Sequence, residues 1–191
     1  MKITGNEDLR IQKTINGIYS AFEFLICEKD FERITVKELT ERAQINKKTF
    51  YRYYPTINDL LAELQARYSQ EYLKTVGTFE YPRDLMKSVR SFIEYSASQN
   101  VAYEKITCSG TYAGIRQQMI DQVMNNTWQN SSEFQQLDDW QQRTLISFMQ
   151  NTGLEVYKQW VADKKRAPVE EVVQTAEALM SSVDKFLEVS K

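Results

Sequence analysis

Between Thr35 and Asp59 the chain carries three helix-start signals and one helix-stop signal, a density that leaves room only for short helices joined by tight turns. Thr35 followed by Glu38 is a capping box. The hydroxyl receives an orphan amide of the first turn and the carboxylate reaches back to the cap amide, so a short helix starts at Val36. Its apolar positions are Val36, Leu39 and Ala43. Asn46 caps a second helix carried by Lys47 to Tyr54. Pro55 stops that helix, because proline lacks an amide hydrogen and pushes the residue before it out of the helical region. Thr56 with Asp59 caps the next helix, whose inner face holds Leu60, Leu61, Leu64 and Tyr68.

Helical periodicity extends along the rest of the chain. Ile11, Ile15, Ile18, Phe22, Leu25 and Ile26 form one apolar stripe, predicting a helix over about 9–27 that ends in the short connection CEKDFERI. After the loop TVGTFEYPR, helices are expected at 85–98, 101–107 and 115–128, and the polar stretch NNTWQNSSEFQQ reads as a helix end plus loop. A longer helix is expected at 139–164. The last one begins at Pro168 and places Val169, Val173, Ala176, Met180, Val183 and Leu187 at steps of four and three, with Val172, Leu179 and Phe186 widening the stripe. Six Gly and three Pro in 191 residues suit helices with short connections rather than a turn-rich β fold. The predicted class is all-α.

Composition narrows the function. The chain has no histidine and two distant cysteines, Cys27 and Cys108, so the usual zinc ligands and imidazole bases are missing. A di-metal bundle site built on Glu-x-x-His is impossible for the same reason. No metal, no cofactor and no enzymatic activity are expected. No run approaches the roughly 20 apolar residues of a membrane span, which predicts a cytoplasmic protein with free thiols. Net charge is −2, yet Lys37 to Tyr54 hold five basic and two acidic residues, so the remainder carries −5. A small basic face on an acidic body fits a compact DNA reader.

Val36, Leu39, Ala43, Ile45, Phe50 and Tyr54 supply the apolar underside that a helix-turn-helix requires, while Lys47, Lys48, Tyr51 and Tyr53 remain for its outer face. The run ITVKELTERAQINKKTFYRYYPTINDLL resembles the signature of the TetR family: a Thr-started helix, an Ala-led turn and a TFY-plus-aromatic helix before a Pro-marked linker helix. It departs from the family at Gln44, where Gly is usual, at Tyr53, where His is frequent, and at Ile57, where a phosphate-touching Lys is common.

The resemblance implies an N-terminal three-helix DNA-binding domain over residues 1–56 and a helical domain for dimerisation and ligand binding over 57–191. It implies that Lys47 and Lys48 reach guanine edges or phosphates, that Thr49 and Tyr51 donate to phosphate, that Tyr51 can also pack on a thymine methyl, and that Tyr53 lies along the backbone. Thr35 and Lys37 would touch phosphate from the preceding helix. Arg52 is left open between a DNA contact and a pairing with a nearby carboxylate. A homodimer on a palindromic double-stranded operator follows, with Met149, Gly153, Val156, Trp160, Val173, Ala176, Met180, Val183 and Leu187 as its expected interface. An effector pocket is expected near Phe92, Tyr95, Tyr103, Tyr112, Met119, Phe148, Asn151 and Tyr157, taking a small molecule that releases the DNA. The alternative is a protein of this fold that has lost DNA reading and acts through a protein partner.

Overall fold

The computed structural model of the chain describes residues 9–76, 78–109, 127–128 and 130–189, and among these the regular elements are helices. They are α1 (Leu9–Glu28), a 3-10 turn (Phe31–Arg33), α2 (Val36–Arg42), α3 (Lys47–Tyr53), α4 (Ile57–Val76), α5 (Leu85–Ser98), α6 (Val101–Cys108), α7 (Ser132–Gln135), α8 (Asp139–Ala162), α9 (Val169–Met180) and α10 (Ser182–Val189). Most of the expected helix 115–128 lies outside the described residues, as do the pocket candidates Tyr112 and Met119. The structure has two compact units. One comprises the described residues up to Tyr68 together with Val101–Ile106; the other comprises Ser69–Asn100 and the described residues from Thr107 onward.

In the first unit the apolar stripes of α1 to α4 converge. Ile15, Ile18 and Phe22 of α1 meet Leu39 of α2, Phe50 of α3, and Leu60, Leu61 and Leu64 of α4 in a core from which water is excluded. Burial of each such side chain contributes about 1.5–3 kcal/mol. The edge of this unit is tied by polar tips: the Tyr68 hydroxyl donates to Glu23 at 2.6 Å, and the Lys105 ammonium donates to the Cys27 carbonyl at 2.8 Å.

In the second unit α5 packs against α8 and α9. Val89 and Ile93 of α5 are buried together with Met149, Tyr157 and Trp160 of α8 and with Val173, Ala176 and Met180 of α9. Arg90 holds α5 to α9 from the solvent side. Its guanidinium grips Glu170 through two bonds of 2.7 and 3.0 Å and reaches Glu177 at 3.3 Å, the forked geometry that a carboxylate accepts best.

Three local readings change. The last helix is interrupted at Ser181, so that α9 and α10 are separate. The Ser181 and Ser182 hydroxyls donate to the Ala178 and Leu179 carbonyls at 2.7 and 3.3 Å, competing with the amides that would continue the helix. Pro168 is the cap, with ψ 147°, rather than the first helical residue. The stretch read as a helix end plus loop before α8 holds Trp128 at full burial, its ring tilted against Tyr81 and Phe134, and it contains the further short helix α7, capped by Ser131.

The residues expected at a dimer interface are covered inside one chain. Met149, Gly153, Trp160, Val173, Ala176, Met180, Val183 and Leu187 are buried and Val156 is half-buried, so their apolar surface is already withdrawn from water by their own unit. They have little left to give a second copy. Gly153 faces the Phe92 ring, and a Cβ there would stand 3.7 Å from its nearest carbon, an ordinary contact. Gly153→Ala is therefore expected to stabilise the protein by about 1 kcal/mol, since a mid-helix glycine is disfavoured by that much. The check is a urea melt. A lowered midpoint, or loss of a dimer present in the parent, would mean that another chain presses on this position.

Candidate nucleic-acid interface

The reading surface is assembled by caps and by one strained turn. At the start of α2 the Thr35 hydroxyl donates to Glu38 at 2.9 Å and accepts the Glu38 amide at 3.3 Å, while the Thr35 amide donates to the same carboxylate at 3.1 Å. Lys29 adds a 2.6 Å ion pair. The hydrogen bond from Lys29 first, then those from the Thr35 hydroxyl and amide, pull the Glu38 carboxyl down to about 2. Glu38 thus stays ionised at neutral pH and complements the positive end of the α2 dipole. The Thr35 hydrogen expected on phosphate is directed at Glu38 instead, and Lys37 remains the outward cation here, 3.9 Å from Glu41.

The turn between α2 and α3 closes in a Schellman arrangement. The Gln44 amide donates to the Glu41 carbonyl at 3.2 Å and the Ile45 amide to the Thr40 carbonyl at 3.0 Å. This forces Gln44 to φ 54°, the left-handed region that glycine adopts without a Cβ penalty. The turn therefore keeps the geometry of a glycine turn and carries its strain. Gln44→Gly is expected to stabilise the first unit by about 1 kcal/mol, read as a rise in the urea midpoint with an unchanged slope. No gain would show that the Gln44 side chain makes up the difference.

Asn46 caps α3, accepting the Thr49 amide at 2.7 Å and the Thr49 hydroxyl at 3.0 Å, so this hydroxyl also spends its hydrogen locally. Tyr54 ends the helix in an extended conformation, as the residue before proline must. Phe50 and Tyr54, one turn apart, anchor α3 with relative exposures of 0% and 1%. The Tyr54 hydroxyl reaches Glu63 at 3.4 Å and the Tyr19 hydroxyl donates to the same oxygen at 2.7 Å. Burial first, and then the Glu63 bond, push the Tyr19 hydroxyl up to about 12. Burial raises Tyr54 as well. Both phenols stay protonated and serve as fixed donors beneath the reading helix.

The opposite face of α3 is open. Lys47, Lys48 and Arg52 are exposed and join no ion pair among the described residues. Tyr51 is 53% exposed, its ring held edge-on against Phe50, and Tyr53 is half-buried. Arg42, counted among the basic residues of this segment, is instead stacked over the Phe24 ring of α1. No spacing rule in the sequence pairs these two residues, because the contact joins helices that only the fold brings side by side.

The described residues expected around an effector come from both units. Phe92, Tyr95 and Tyr157 lie in an aromatic cluster completed by Tyr72, which sequence reading did not single out: Tyr72 is 5.9 Å from Phe92 and 5.5 Å from Tyr95, and Phe92 is 6.3 Å from Tyr157. The buried Tyr157 hydroxyl donates to the Ser96 carbonyl at 3.2 Å. Tyr103 belongs to the other unit, edge-on to Tyr68 at 5.1 Å. Phe148 and Asn151 are exposed on the far side of α8 from Tyr157, and the Asn151 amide donates to the Ser147 carbonyl one turn back.

Fold and site together define a helix-turn-helix protein: a capped, aromatic-anchored short helix with an open basic face, followed by a larger helical body. Residues 18–64 match the family of bacterial regulatory proteins described as the tetR family. Over this segment, which includes α2 and α3, the chain is similar to that family. The fold agrees over most of the length with the fatty acid degradation regulator FadR from Bacillus halodurans. The TM-score is 0.64 at 17% identity, covering 87% of this chain and 94% of that one. The TetR-like transcriptional regulator LfrR from Mycobacterium smegmatis aligns over 91% of this chain and 98% of its own at 18% identity, with a TM-score of 0.39 that carries no argument about fold. No curated protein sequence matches. Among the described residues no helix is long and apolar enough to cross a membrane.

Proposed function

We propose that the chain works as a homodimeric repressor that reads a palindromic operator through α3 and leaves it when a small molecule binds the second unit. The observation that carries the reading is the contrast across α3, where Phe50 and Tyr54 are sealed into the core while Lys47, Lys48 and Tyr51 stand open one helix face away. A rigid helix with an unpaired basic face suits insertion into a major groove, with Lys47 and Lys48 toward bases or phosphates. Lys37 and Tyr53 flank that face. Thr35 and Thr49 act mainly by fixing the caps.

One such helix contacts few base pairs, and a two-fold pair supplies the second half-site about 34 Å away. With the inner stripes of α8 and α9 already buried, the self-contact is assigned to their outer faces. There Trp140, Phe148 and Leu179 are 65%, 41% and 51% exposed, large apolar surfaces that a second copy would cover. The aromatic cluster around Tyr72, Phe92, Tyr95 and Tyr157 is the starting point for an effector site. A ligand would act only through a different affinity for the DNA-competent and DNA-incompetent arrangements.

The test is selection of bound duplexes from a random pool, with sedimentation of the same preparation. The expected result is an enriched inverted repeat bound by a dimer. A pool that enriches no motif would leave a TetR-fold protein acting through a protein partner.

A further inference from the structure

A groove beside the reading helix is unused by the function argued so far. It lies within the first unit and has a volume of about 580 Å³. Arg10, Lys13 and Thr14 of α1 form one wall and Ala43, Gln44 and Ile45 of the α2–α3 turn form the other. The walls are in close register: a Cβ on Gly17, one turn beyond Lys13, would stand 4.0 Å from the Ala43 carbonyl oxygen. Arg10, Lys13, Thr14 and Gly17 follow the helical spacing of three and four, so they share the face of α1 that borders the turn.

The chemistry of the lining selects an anion. Among the described residues the lining holds two cationic side chains, one hydroxyl and one carboxamide beside the apolar Leu9, Ala43 and Ile45, and no carboxylate. Arg10 and Lys13 are exposed, and Lys13 joins no ion pair among the described residues. The Gln44 and Ile45 amides are consumed by the turn and the Thr14 hydroxyl donates to the Arg10 carbonyl at 2.9 Å, so the attraction comes from the two cations. Ile45 directly precedes Asn46, the cap of α3, which places the groove at the mouth of the reading helix beside Lys47 and Lys48. A duplex that admits α3 into its major groove carries a phosphate strand past each side of that helix.

We propose that this groove seats one phosphodiester strand of the bound duplex, with Arg10 and Lys13 neutralising two of its phosphates. The inference rests on the DNA-reading function proposed above. Positions held this way set orientation and affinity without reading sequence.

The experiment uses the full chain and the duplex obtained by selection, with dissociation constants measured across a salt series. R10Q/K13Q is expected to reduce the log–log salt slope by about 1.8, since each neutralised phosphate contributes about 0.9, and to weaken binding by tenfold or more at 0.1 M salt. The ranking of operator variants should stay as in the parent. K13Q alone should remove about 0.9 and serves if the double variant folds poorly. K185Q, which removes an exposed cation of α10, should leave the slope in place. A parent-like slope in R10Q/K13Q and K13Q, with normal parent binding, overturns the groove assignment alone. An equal change in K185Q also overturns it, because the effect would then be one of overall charge. A parent chain that binds no duplex removes the DNA-reading function and this inference with it.

Discussion

Replacing Lys48 and Tyr51 together with alanine is expected to weaken binding of the selected operator by about 2–6 kcal/mol, at least thirtyfold in Kd. Each side chain stands on the open face of α3, three residues apart, so both can reach the same stretch of groove. Neither is part of the core. Their removal should change stability by no more than about 0.5 kcal/mol, the usual range for exposed positions without special contacts. Sequence preference should relax as well as affinity, which separates these positions from Arg10 and Lys13, where all operators should weaken alike. Quantitative binding on the parent operator and on single-base variants measures both effects, with a thermal melt and sedimentation as controls. Parent-like binding by a folded dimeric K48A/Y51A protein would place the reading face elsewhere on the molecule.

Phe50→Ala should give the largest loss of stability, about 3–5 kcal/mol. The ring is fully buried and lies 5.8 Å from Tyr54, so truncation opens a cavity under the reading helix and removes an aromatic contact at the same time. Loss of this size is a large share of what a small unit has in reserve. A urea titration should show a much lower midpoint for the first unit. Operator binding should fail with it, although Phe50 itself points away from the proposed DNA face. The comparison with Gln44→Gly is informative, because that change sits six residues earlier and acts in the opposite direction. If Phe50→Ala cost less than 1 kcal/mol, the reader would not depend on a packed core beneath α3.

The parts of the structure that were legible from sequence are those decided within a few residues. The Thr35–Glu38 and Thr56–Asp59 boxes, the Asn46 cap and the Pro55 stop fix α2, α3 and the start of α4, because each cap satisfies backbone groups three residues away in the same chain. At Gln44 the sequence offered only the family resemblance, in which glycine is usual, and the left-handed φ of 54° came from the structure. Periodicity likewise located α1, α5 and α8. The break between α9 and α10 was missed because the apolar stripe runs through it unbroken, while the serines that disrupt it act on the backbone.

The sequence alone thus determined where helices begin and end around the reader, and which of its residues face inward, since hydrogen-bond caps and helical spacing are local. Only the tertiary structure decided what covers each apolar face. The stripes on α8 and α9 were read from the sequence as a contact with a second copy, and the fold closes them against α5 and each other, leaving Trp140, Phe148 and Leu179 outside. The Arg42–Phe24 stack and the groove beside the α2–α3 turn were decided there too. An apolar or charged face states a need for a partner, and the identity of that partner depends on which distant segments the chain brings together.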